Sequence, residues 1–105
     1  LLAKGTASVA LAWANSITTG TTLTAVAGNG YWIDTTSNAC TVTFPGTANV
    51  GDEIVLVDIR RNWANNAVTI NPNSLNFQGA STPQRIWTKC KMRLFWCNLW
   101  VDTSF

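Results

Sequence analysis

Residues 30–79, GYWIDTTSNACTVTFPGTANVGDEIVLVDIRRNWANNAVTINPNSLNFQG, decide the fold class. They divide into five short strand patterns with turn chemistry at each joint. Tyr31, Ile33 and Thr35 alternate with Trp32 and Asp34, the period of two that an extended strand imposes on its side chains. Thr36, Ser37, Asn38 and Ala39 suit a turn, because short polar side chains bond nearby backbone. Cys40–Phe44 is a second strand, stopped where Pro45 removes a donor and Gly46 loosens the backbone. Gly51-Asp52 opens Glu53–Ile59, in which Ile54 and Leu56 face away from Val55 and Val57, so both faces are apolar. A polar link, Arg61–Asn66, leads to Ala67–Asn71, and Asn71-Pro72-Asn73-Ser74 turns the chain into Leu75–Gly79. The pattern predicts a meander of antiparallel hairpins.

Working outward, residues 1–105 read as a single β domain. The expected fold is all-β, an antiparallel sandwich or barrel-like meander of about nine short strands. Its apolar faces are expected from Val9, Leu11, Val26, Ile33, Val42, Phe44, Ile54, Leu56, Val68, Ile70, Leu75 and Phe77. Charged residues make up only 11% of the chain, against roughly 25% in ordinary soluble domains. Fifteen threonines and eleven asparagines fill the polar positions instead. So little charge suits a surface covered by copies of the same chain. The two-faced strand Glu53–Ile59 then reads as a subunit contact through Val55 and Val57. Trp32, in its alternating strand, reads as interface or core.

The residue inventory removes most catalysts. There is no histidine, which excludes Cys/His zinc sites, Cys-His pairs and Ser-His-Asp triads. Cys40, Cys90 and Cys97 lack metal-ligand spacing and read as reduced thiols packed as small hydrophobes, with a Cys90–Cys97 bridge across a hairpin as the alternative. Asp34, Asp52, Glu53, Asp58 and Asp102 are the only carboxylates. Each sits beside a turn or strand end, where a carboxylate accepts backbone N–H bonds. A glycosidase pair would need two of them about 5–10 Å apart. No Asp-x-Asp-x-Asp run offers a calcium loop, and no cofactor is expected.

The net charge of +2 is too small to argue for nucleic acid. The apolar run Val9–Ala14 is far shorter than the roughly 20 residues a bilayer requires, so no membrane insertion is expected. LLAKGTASVALAWA lacks the basic lead of a signal peptide. A chain opening on Leu reads as a piece of a longer protein.

Six tryptophans remain to be explained. Indoles bury large area in cores and interfaces and also stack on sugar rings. Trp63 lies in Arg60-Arg61-Asn62-Trp63-Ala64-Asn65-Asn66, where Arg60, Arg61, Asn62, Asn65 and Asn66 offer polar groups for sugar hydroxyls. That loop is the candidate for host glycan or for subunit contact.

A family resemblance rests on the same residues. GNGYWIDTTSNACTVTFP followed by VGDEIVLVDIRRNWANNAVTINPNSLNFQG resembles a module of tail fibre proteins of tailed bacteriophages, especially phages of marine cyanobacteria. TTGTTLTAVAGNG, with Trp13 ahead of it, resembles the approach to that module, so the likeness covers about residues 13–80. It implies a virion part with a role in host attachment, built as a homotrimer, assembled in the host cytoplasm beside other virion proteins, and with no catalytic residue. A capsid-decorating or neck protein is the alternative, and a carbohydrate-active enzyme the least favoured. Residues 85–105 depart from the family pattern. They read either as a diverged strand pair, Lys91–Trp96 and Leu99–Thr103, or as an out-of-frame reading of an ordinary module ending.

Overall fold

The computed structural model of the chain describes residues 11–86, 89–97 and 99–103; Val9, expected in the core, lies outside them. The described residues hold nine strands. They are β1 (Ala12–Thr18), β2 (Thr22–Thr24), β3 (Asn29–Ile33), β4 (Cys40–Thr43), β5 (Glu53–Asp58), β6 (Val68–Asn71), β7 (Gln84–Ile86), β8 (Lys91–Trp96) and β9 (Trp100–Asp102). The all-β expectation holds. The antiparallel meander does not.

Successive strands up to β6 alternate between two sheets instead of pairing with each other. One sheet has the order β9-β8-β5-β3-β1, the other β2-β4-β6-β7. Within the first, β1, β3 and β5 run parallel, with Trp13 opposite Gly30 and Gly30 opposite Val55. Within the second, β2, β4 and β6 run parallel, with Thr41 opposite both Thr22 and Thr69. Only the C-terminal strands are antiparallel: β8 on β5, β9 on β8 and β7 on β6. The chain therefore winds as a flattened coil, and each pass lays one strand on each sheet. Alternation of side chains tells which side of a strand faces inward. It is silent about which backbone the strand bonds to, and hairpins and cross-sheet arches bury the same residues.

The two sheets share one core. Tyr31, Ile33, Ile54, Leu56, Met92 and Leu94 come from the first sheet, and Cys40, Val42, Val68 and Ile70 from the second. Phe44, Trp63, Phe77 and Trp100 fill the ends. Each fully buried aliphatic or aromatic side chain contributes about 1.5–3 kcal/mol. Trp100 meets Phe44 at 5.1 Å and Trp96 at 5.6 Å, both edge-on, the geometry favoured by opposed ring quadrupoles. Val26, expected inside, is exposed, while Leu11 and Leu75 are only half-buried. Leu75–Gly79 is no strand; Phe77 forms only single bridges to Ala80 and Trp100.

Towards the C-terminus, β8 and β9 complete the first sheet. Met92 and Leu94 face the core, and Arg93, Phe95 and Cys97 face out. Cys90 and Cys97 flank opposite ends of β8, roughly 23 Å apart at about 3.3 Å per residue. A bridge between them needs Cα atoms within about 7 Å, so the geometry forbids it. All three thiols are free. Only Cys40 is packed as a small hydrophobe, and burial pushes its thiol pKa up; Cys90 and Cys97 are exposed.

Asparagine side chains staple the joints of neighbouring passes. The Asn38 amide donates to Gly20 O at 3.2 Å, tying the β3–β4 joint to the β1–β2 joint. Asn62 and Asn66 both donate to Thr35 O, at 2.9 and 2.8 Å, tying the β5–β6 joint to the β3–β4 joint. On the opposite side of the molecule, Asn73 donates to Phe44 O at 2.9 Å. An amide suits this work because it brings its own donors to carbonyls that no strand partner reaches.

Candidate interaction surface

The outward side of the first sheet carries a row of apolar residues. Trp32 stands opposite Val57 on one side and Ile17 on the other, and Val57 stands opposite Lys91. Trp13 stacks on Trp32 at 4.4 Å, with the rings 21° apart. Gly30 makes that arrangement fit, because a Cβ there would lie 2.6 Å from the Trp13 ring. Trp13 and Ile17 each keep 41% of their surface exposed, and Phe95 keeps 36%.

The predicted interface residues fall on this face, but unequally. Trp32 and Val57 are half-exposed. Val55 is already buried within one chain, between Gly30 on β3 and Arg93 on β8, so it needs no second subunit to cover it. Arg93 bonds Glu53 through its Nε, which holds the guanidinium in its charged form. Sequence reasoning missed Trp13 and Ile17; the exposed apolar positions of β1 were the available signal.

The glycan-loop candidates meet a different fate. Trp63 is fully buried and presents no ring to a sugar. Asp58 positions it: one carboxylate oxygen accepts Asn62 N–H and the other Trp63 N–H, both at 2.9 Å. The Asn62 and Asn66 amides are committed to Thr35 O, and Asn65 donates to Asn62 Oδ1 at 2.9 Å. Arg61 turns the chain at φ 53°. Arg60 pairs with Asp34 at 3.5 Å. The loop is a plug over the end of the core, with Arg60 and Arg61 at its surface.

Every carboxylate has a structural partner. Asp34 accepts Thr36 Oγ1–H at 2.7 Å and Thr36 N–H at 2.9 Å; those bonds, helped by Arg60, pull its pKa below the ordinary 3.8. Asp52 accepts Asn49 N–H at 2.8 Å. Glu53 holds Arg93, and Asp102 holds Lys89 at 3.0 Å. Among the described residues no three Cys, Asp or Glu side chains group as metal ligands. No helix there is long and apolar enough to cross a membrane, which does not bear on β-barrels.

No protein-family model matches the chain, and no curated protein matches it.

Proposed function

We propose that this chain is a structural module of a phage tail fibre, assembled as a homotrimer in the virion and serving host attachment rather than catalysis. The observation that carries the reading is the outward row of Trp13, Trp32, Ile17 and Val57. It is an apolar face on a chain with little charge elsewhere to keep copies apart. The likeness of the ordered motifs in residues 13–80 to tail fibre modules supports the same reading. The engagement of Asp34, Asp52, Glu53, Asp58 and Asp102 in turns and ion pairs supports a role without chemistry.

Sedimentation of the full chain tests the assembly. Three-fold association through the outward face should be lost in a Trp32→Lys/Val57→Lys variant, since burying unpaired charge there carries a large penalty. A full chain that stays monomeric at micromolar concentration overturns the trimer. Attachment is tested by competition: the soluble module should reduce phage adsorption to host cells, and no reduction at saturating module argues against it.

A further inference from the structure

Among the described residues, the two ends of the coiled stack are finished differently, and only one is covered. At the far end, residues 76–78 cover β9: Trp100 N–H donates to Asn76 O and Gln78 N–H to Trp100 O, both at 2.7 Å. The other sheet ends there on β7, a three-residue strand with Pro83 before it and Arg85 within it. Short strands, proline, charge and covering loops are the means by which proteins stop sheet edges from pairing. At the near end the sheets finish on β1 and β2, and among the described residues no strand pairs with their outer edges. Neither strand contains a charged residue or a proline. The sequence holds no charge at all between Lys4 and Asp34. β1 is blunted only by a register shift between Trp13 and Ile17; β2 is as short as β7 but lacks its charge and flanking proline.

We propose that this end is a second self-association surface, taking another copy of the chain edge to edge, β1 on β1 and β2 on β2. The geometry selects that occupant. β1 and β2 belong to two sheets about 10 Å apart, so a partner satisfying both edges must itself end in two strands at that spacing. A single two-fold axis along the sheet normal brings β1 antiparallel to β1 and β2 antiparallel to β2 together, an isologous contact that closes. With no charge on either edge, like meets like without repulsion. A strand bearing Lys or Glu would find no counter-charge on β1 or β2.

This contact is distinct from the outward face and goes beyond the trimer. The face alone gives three copies and the edge alone two, and the two together give six where the three-fold and two-fold axes cross at right angles. The test is sedimentation of the full chain beside Asn15→Lys/Thr22→Lys, both exposed positions, with Asn15→Gln/Thr22→Asn as the neutral control and circular dichroism to confirm folding. The lysine variant should halve the mass, from six to three or from two to one, while the control keeps it. Trp32→Lys/Val57→Lys should leave pairs, which separates failure of the face from failure of the edge. In the unaltered chain, amide exchange over residues 11–24 should slow as protein concentration rises. A mass unchanged by the edge lysines overturns the proposal. So does protection that is independent of concentration, which would mean that one chain fills its own edge.

Discussion

The near end of the molecule, residues 11–33, and the far end, residues 84–103, are built from the same kind of strand and do opposite work. The far end turns most of its large apolar residues inward, with Met92, Leu94 and Trp100 buried to within 1%, while Phe95 faces out. Its charges are held in pairs, Arg93 with Glu53 and Lys89 with Asp102. The near end puts Trp13 and Ile17 outward and carries no charge. One end is finished against solvent; the other, on the reading proposed above, is finished against a second copy of the chain. The difference shows that an edge strand is read from what lies on its outward side, since its inward side looks the same in both.

Substitutions that cost stability at one end and assembly at the other put this contrast to the test. Trp100→Ala should destabilise the fold by about 3–5 kcal/mol, the cost of emptying a buried aromatic site, measured by denaturant unfolding. Trp13→Ala should cost less than that in the separated chain, because 41% of its surface is already in water, and should weaken self-association besides. Equal losses at the two positions would erase the distinction between the ends.

Asp58→Ala should cost about 1–3 kcal/mol by orphaning the Asn62 and Trp63 amides. Asn38→Ala, which removes the staple between the two nearest joints, should cost about 1 kcal/mol. If the staples set the stacking of the passes, amide exchange in Asn38→Ala should rise first over residues 19–24 and leave residues 91–102 unchanged.

Thiol labelling sharpens the picture without mutation. Cys90 and Cys97 should react in the native protein, and Cys40 only on unfolding. Asp34 gives the smallest effect. Its folded pKa lies below the ordinary 3.8, so the unfolded chain takes up the proton first as the pH falls. Its contribution is complete above pH 3.8 and is lost as the pH drops through the folded value. The midpoint of acid unfolding followed in Asp34→Asn should show a shallower fall over that window.

Much of the strand content was legible. Cys40–Phe44, Glu53–Ile59 and Ala67–Asn71 were each read to within one residue of β4, β5 and β6, because β-branched runs bounded by Pro, Gly and Asn carry that signal. Lys91–Trp96 was read as it stands in β8. The pairing was not legible, since joint chemistry suits a cross-sheet arch as well as a hairpin and the hydrophobic period is common to both. Trp63 misled for a related reason. A tryptophan among Arg and Asn looks solvent-facing until Asp58, five residues earlier, is seen to fold the loop back onto the core. The asparagines looked like surface filler because the carbonyls they bind are 18 to 31 residues away in sequence.

The strand order also fixes how the molecule bears load. β1 and β9, at the two ends of the described chain, are the outermost strands of one five-stranded sheet. Tension applied between Ala12 and Asp102 therefore runs across that sheet, perpendicular to its strands. Four strand-to-strand seams lie in series over about 19 Å, and each yields by peeling, a few hydrogen bonds at a time, rather than by shearing all of them at once. A mechanical pull on the isolated module should open it gradually at low force.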